Sequence, residues 1–169
     1  MKALALAILT MLLALSTAPA LAQEDIAKHK SCKFCGMDRE KFASSRVLLE
    51  YEDGTSEGMC SLRCASVELA LGIDKFPKPM LVGDYNTRAL IEAEKASWVI
   101  GGNKPGVMTK RSKWAFGAKA DAEKFVQENG GEVVGFEAAI KAAYEDLYED
   151  TRMIRERREA KRKAAAEKK

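Results

Sequence analysis

The chain has 169 residues, 31% of them charged, and a formal net charge of +3. Histidine occurs once, and no Ser-His-Asp set, phosphate-binding glycine loop or carboxylate pair is evident, so the composition argues against an enzyme. Residues 151–169 carry nine Lys/Arg and three Asp/Glu after a mildly acidic body, which argues against a nucleic-acid-binding domain with a basic folded face.

Residues 1–22 are predicted to be a cleaved secretory signal peptide. Lys2 precedes an apolar run from Ala3 to Leu15, and small residues then offer a cleavage site before Gln23. The apolar run is too short for a membrane anchor, and no cysteine follows the cleavage site to accept a lipid. The mature protein is therefore expected in an oxidising compartment, the bacterial periplasm.

The first half of the mature chain is predicted to fold as strand, strand, helix, strand. Apolar and polar residues alternate over 47–52, Asp53-Gly54 is a typical hairpin turn, and 55–59 is the returning strand. Residues 61–72 then take a helical period, and a third strand follows at 80–85.

The second half is predicted to repeat that order. Strands at 97–100 and 113–117 precede a helix capped by Asp121, a last strand lies at 132–136, and a long helix starts at Glu137. The predicted fold class is therefore α+β, with two similar ββαβ lobes plus a long C-terminal helix. The predicted segments are a signal peptide at 1–22, a flexible lead-in at 23–31, a Cys-rich lobe at 32–96, a second lobe at 97–136 and the C-terminal helix with its basic tail at 137–169.

All four cysteines lie between Cys32 and Cys64, in two pairs. Cys32 and Cys35 have the C-x2-C spacing of a metal knuckle, and Gly36 allows its tight turn. Cys60 and Cys64 are four residues apart at the start of the predicted helix, where the helix dipole favours thiolate. Because the predicted hairpin joins the two pairs, the sequence predicts a four-thiol metal cluster.

Methionines beside the thiols indicate which metal is bound. Four thiolates alone suit structural zinc. Met37 follows the first pair and Met59 precedes the second, however, and thioether sulfur is a better ligand for copper(I) than for zinc. Met108, in a glycine-rich loop of the second lobe, is a further candidate; ordinary packing is the alternative for each methionine. With copper(I) as the metal and zinc as the alternative, the predicted ligands are Cys32, Cys35, Met37, Cys60, Cys64 and Met108.

Other interpretations remain open. Either cysteine pair can be oxidised in an exported protein, which would make this a disulfide- or zinc-stabilised interaction module. A thiol oxidoreductase is less favoured, because Cys32 precedes the first strand–helix unit instead of opening its helix. His29 is expected to be exposed and not a ligand. The basic tail is expected to be a solvated helix or a contact with an anionic surface or protein.

The chain resembles the NosL family, copper-binding accessory proteins of nitrous oxide reductase maturation. The motifs that carry the resemblance are Cys35-Gly36-Met37, the Asp53-Gly54 turn, Cys60-x3-Cys64 and the block FGAKADAEKFVQENGG at 116–131. The resemblance covers about 32–142 and implies two strand–strand–helix–strand lobes, likened to part of organomercurial lyase.

The resemblance also implies one copper(I) bound by sulfur, with Met37 the most secure ligand, followed by the Cys60/Cys64 pair and then Met108. Family members are typically lipoproteins, whereas this chain lacks the lipid-accepting cysteine and adds a basic tail. Taken together, we expect a periplasmic copper(I) chaperone or sequestration factor that delivers copper to a metalloenzyme. Its partner would be a copper-donating or copper-receiving protein, with nitrous oxide reductase as the implied client.

Overall fold

The computed structural model describes residues 24–167, which form two antiparallel sheets with helices around them. The predicted signal peptide lies outside the described residues. Within those residues, no helix combines the length and apolar character that crossing a membrane requires. From the N-terminus, the elements are α1 Glu24–Lys28, β1 Val47–Glu50, β2 Ser56–Met59, α2 Leu62–Leu71, β3 Leu81–Gly83, β4 Leu90–Glu92, β5 Ser97–Ile100, β6 Lys113–Phe116, α3 Lys119–Asn129, β7 Glu132–Val134, α4 Phe136–Glu145 and α5 Leu147–Ala166.

The first sheet is built on the predicted hairpin. Its strand order is β2-β1-β3-β4, and β1 pairs with β2 so that Val47 lies opposite Met59. Gly54 takes φ 83° in the turn, a left-handed conformation that glycine adopts without a steric penalty. Because Met59 is the last residue of β2, Cys60 lies directly after the end of the hairpin.

The second sheet has the order β6-β5-β7 and joins the first through one short contact. Asp84 and Ala115 form a parallel bridge, and the Asp84 carboxylate accepts a hydrogen bond of 2.7 Å from the Gly117 amide. Buried side chains of both sheets, including Val47 and Trp98, belong to one continuous core. The two lobes therefore fold as one unit.

The α+β class and the long C-terminal helix are confirmed, with differences in detail. The first lobe has a fourth strand, β4, which the sequence analysis did not predict. The first helix of the second lobe starts at Lys119 with Ala118 as its N-cap, so the prediction of Asp121 as the cap is wrong. The predicted single C-terminal helix is divided at Asp146 into α4 and α5.

The segment expected to be a flexible lead-in contains α1. The Asp25 side chain is 5% exposed and pairs with the fully buried guanidinium groups of Arg39 and Arg46, at 2.8 Å each. Two buried arginines need a carboxylate close by, because an unpaired buried charge is costly. This long-range pairing, which no local pattern indicates, fixes α1 against the first lobe.

Candidate metal centre

Four cysteine sulfurs lie close together where β2 ends and α2 begins. The Sγ atoms of Cys32, Cys35, Cys60 and Cys64 all lie within 4.8 Å of one another, and all four thiols are free. The Cys35 and Cys60 sulfurs are 3.4 Å apart, and those of Cys60 and Cys64 are 3.8 Å apart. Cys35 is half-buried and the other three are buried. The predicted convergence of the two pairs is therefore present, with Cys35 at its most open edge.

The first pair is held by a tight backbone turn. The Gly36 amide donates to the Cys32 carbonyl (2.9 Å), and the Cys32 amide donates to the Met37 carbonyl (2.8 Å). Gly36 takes φ 73°, as expected for a knuckle glycine. The Lys33 amide donates to the Gly58 carbonyl at 3.1 Å, which attaches the turn to β2. The knuckle is thus fixed to the strand that leads to the second pair.

The second pair straddles the start of α2. Ser61 is the N-cap, with extended backbone, as predicted, so Cys60 lies one residue before the cap and not within the helix. Its carbonyl accepts a hydrogen bond of 2.8 Å from the Ser45 hydroxyl. The Cys64 amide donates to the Ser61 carbonyl at 3.0 Å. These two hydrogen bonds therefore fix the backbone of Cys60 and Cys64 at the N-terminus of α2.

The buried guanidinium of Arg39 binds the backbone of the two paired strands next to Cys60. Arg39 Nε donates to the Met59 carbonyl (3.2 Å), and Arg39 Nη2 donates to the Val47 carbonyl (3.1 Å). The same nitrogen pairs with Asp25. The α1 segment consequently supports the metal centre through Arg39.

A second ion pair fastens the knuckle to the helix. Lys33 Nζ lies 2.7 Å from the Glu57 carboxylate and 3.0 Å from that of Glu68. Glu68 is 3% exposed and also accepts a hydrogen bond of 3.0 Å from the Tyr51 hydroxyl. Since Lys33 lies between the first two cysteines, this network links the knuckle to β2 and α2.

The four thiols share their protons unequally. Hydrogen bonds from the Cys35, Cys60 and Cys64 thiols lower the pKa of Cys32 far below its ordinary value. Cys32 raises the pKa of Cys35, but hydrogen bonds from Cys60 and Cys64 lower it to a net value of about 7. Hydrogen bonds to Cys32 and Cys35 raise the pKa of both Cys60 and Cys64. These directions favour thiolate in the first pair and thiol at Cys60 and Cys64, contrary to the thiolate expected at Cys60 from the helix dipole, and a metal would displace the remaining protons.

The chain is similar to known proteins in sequence and in structure. A family model for NosL matches residues 23–144. The chain belongs to the NosL family. It is similar in structure to the copper chaperone NosL from Shewanella denitrificans, with 24% sequence identity and a TM-score of 0.52 over 63% of this chain and 87% of that one. At that identity the likeness shows a shared fold. No curated protein matches the chain.

The two candidate methionine ligands of this NosL-family chain are half-buried. Met37 and Met108 both pack against the core cluster that contains the cysteines, whereas Met59 is fully buried within it. Met108 has φ 61°, one of two non-glycine residues with positive φ in residues 24–167. Such backbone strain is often found at functional sites. Ligation by Met37 and Met108 stays a prediction.

His29, expected to be exposed and not a ligand, is half-buried, with Nε2 3.0 Å from the Ser56 hydroxyl. Burial is the main cause that lowers the pKa of His29, so the imidazole favours its neutral form. In residues 24–167, the four cysteines are the only group of three or more His, Cys, Asp or Glu side chains placed to hold a metal. The His29 side chain therefore contacts the start of β2 through Ser56.

The start of α5 contacts both α2 and the loop that carries Met108, a feature that sequence reasoning missed. Arg63, between the second pair of cysteines, donates from Nη2 to the Thr151 hydroxyl at 2.8 Å. Asp150, which is 1% exposed, accepts a hydrogen bond of 3.0 Å from the Lys110 amide, two residues after Met108. Arg63 Nε and Asp150 Oδ2 are both buried without a hydrogen-bond partner. One helical turn therefore joins the thiol helix to the Met108 loop.

Proposed function

We propose that this NosL-family protein binds one copper(I) ion in the periplasm and exchanges it with a partner protein. The observation that carries the proposal is the group of four free cysteine sulfurs within 4.8 Å of one another. The periplasmic location rests on the signal-peptide pattern of residues 1–22. Nitrous oxide reductase is the candidate client, from the family resemblance.

The sulfur spacing suits a thiophilic ion. Metal–sulfur bonds of about 2.3 Å in a tetrahedral site put neighbouring sulfurs about 3.8 Å apart. The sulfur pairs Cys35–Cys60 and Cys60–Cys64 lie at 3.4 and 3.8 Å. Little movement would then be required for these thiols to surround one ion.

Copper(I) is favoured over zinc by the methionines that accompany the thiols. Met37 follows Cys35 by two residues, Met37 and Met108 are half-buried, and their thioether sulfur is a soft donor that copper(I) accepts. Zinc would use the four thiolates alone, in a closed structural site. The proposed ligand set is Cys32, Cys35, Cys60 and Cys64, with Met37 and Met108 as exchangeable donors.

Transfer would proceed by ligand exchange without a change of oxidation state. Cys35 is the most accessible of the four sulfurs, so a thiolate of the partner would bind the ion there first. As copper leaves, Cys60 and Cys64 recover protons, because their raised pKa values favour the thiol form. One proton would replace the single positive charge of copper(I), and a second would leave the thiol cluster one charge more positive than in the copper-bound state.

The proposal is tested by titrating the reduced mature protein with copper(I) against a chromophoric chelator, and by mass spectrometry of the product. We expect one tightly bound ion, which Cys60→Ser with Cys64→Ser abolishes. Met37→Leu and Met108→Leu should each weaken binding, whereas Met80→Leu, a matched change of a buried core methionine, should leave it unchanged.

Two outcomes would count against copper exchange. A protein that retains zinc in the presence of a copper(I) chelator, with no effect of Met37→Leu, would be a structural zinc module. A protein purified with both cysteine pairs bridged, and unable to bind copper(I) after reduction, would be a disulfide-stabilised module.

A further inference from the structure

The distal part of α5 leaves the body of the protein. Only Asp150 and Met153 are buried in this helix of 20 residues, and every residue from Arg155 to Glu167 is exposed. At 1.5 Å per residue, the exposed part extends about 18 Å. We name residues 155–163 the basic arm. A helix without packing is marginal in water by itself, so its composition calls for an explanation.

The basic arm carries cations that acidic side chains do not neutralise. Lys163 pairs with Glu159 at 2.9 Å, and Glu156 lies 3.8 Å from Arg152, outside the arm. Five other arm cations form no ion pair with any described residue: Arg155, Arg157, Arg158, Lys161 and Arg162.

The unpaired cations share one side of the helix. At 100° per residue they fall within an arc of about 160°, and both glutamates of the arm lie outside that arc. A helix that is merely solvated would distribute both signs around its surface. The basic arm instead presents a face of one sign.

The arm lacks the apolar side chains that a membrane-bound helix uses. Alanine is its only apolar residue type, at position 160, and alanines at 164–166 follow it. Interfacial helices oppose their charged face with Trp, Phe or Leu, which bury in the acyl boundary. An acidic protein surface fits this helix better than a lipid bilayer does.

The base of the arm is fixed at the metal centre. Thr151 bonds to Arg63 of the thiol helix, and Asp150 bonds to the backbone just after Met108. Arg155 is one turn further along, about 6 Å from these contacts. A protein held by the arm would therefore lie next to the helix that contacts both α2 and the Met108 loop.

We propose that the basic arm binds an acidic surface of the protein that exchanges copper with this chain. The inference rests on the proposed function, since it names the surface chemistry of that partner. The arm would increase the rate of encounter and orient the two copper sites toward each other, as opposite charges do in steered association.

The test uses the full mature chain and two synthetic acceptor peptides with one Cys-x-x-Cys motif. One peptide ends in a polyglutamate tail and the other in a polyglutamine tail. The arm variant changes all five unpaired cations to Gln, and the matched control changes its four arginines to Lys, which keeps the charge. Fluorescence anisotropy measures peptide binding by the copper-free chain, and stopped-flow spectroscopy measures copper(I) transfer from the loaded chain.

We expect the wild-type chain to transfer copper to the polyglutamate peptide about tenfold or more faster at low salt than to the polyglutamine peptide. The Gln variant should lose that preference and its anisotropy signal, while the Lys control keeps both. Equal transfer to both peptides would overturn the proposal, as would binding to phosphatidylglycerol vesicles without any preference between peptides. If the chain failed to bind copper, the anisotropy would still test the arm separately.

Discussion

Asp25 provides the most direct test of how the first lobe supports the thiol cluster. Its carboxylate accepts 2.8 Å hydrogen bonds from Arg39 Nη2 and Arg46 Nε at one oxygen and a 3.0 Å bond from Arg46 Nη2 at the other. Both arginine side chains are 0% exposed. Asp25→Ala would remove the carboxylate that both guanidinium groups share.

Removing one partner from a buried ion pair costs about 3–5 kcal/mol, because the charge left behind is neither solvated nor paired. We therefore expect Asp25→Ala to lower the free energy of unfolding by about 3–5 kcal/mol, and Tm by about 10 °C or more for a chain of this size. Asp25→Asn, which keeps the shape but loses the charge, should lie between this variant and the wild type.

Urea denaturation of the reduced, metal-free mature protein measures the effect, with Glu24→Gln as the control. Glu24 neighbours Asp25 in α1 but is exposed, so its change should stay within about 0.5 kcal/mol. A loss below about 1 kcal/mol for Asp25→Ala, with an unchanged m-value, would refute the buried network as the anchor of α1.

Three further outcomes follow from the site. The pKa of Cys35 is lowered to about 7. The apparent copper(I) affinity should therefore fall as the pH decreases below 7, because this thiolate takes up a proton. Competition with a chelator between pH 6 and 8 would measure the decrease. Asp150→Ala should destabilise the protein by about 1–3 kcal/mol, because the Lys110 amide loses the acceptor that the buried Asp150 carboxylate provides. It should weaken copper binding only if Met108 remains present. Gly36→Ala should cost about 1–2 kcal/mol in urea denaturation from its positive φ alone, because an added Cβ meets no atom within 4 Å.

Local patterns predicted the parts of this fold that depend on neighbouring residues. The Asp53-Gly54 turn fixes the hairpin register, which places Cys60 at the end of β2, beside the knuckle formed by Cys32 and Cys35. The four-thiol cluster was predictable for that reason.

Contacts between distant segments were not predictable in this way. In the sequence, Asp25 is one polar residue among others in the polar lead-in. Its pairing with two arginines forms only when the first sheet packs. The division of the C-terminal helix falls at Asp146, whose carboxylate binds Lys113 of β6 and Arg111 just before that strand. No local pattern separates Asp150 from the exposed charged residues around it, so its burial was not predictable.

The most direct measurement of the central claim is X-ray absorption at the copper edge of the reduced protein loaded with one equivalent of copper(I). We expect only sulfur neighbours at about 2.3 Å, three or four in number, with a reduced count in Cys60→Ser. Nitrogen or oxygen neighbours, or a spectrum that Cys60→Ser does not alter, would contradict it.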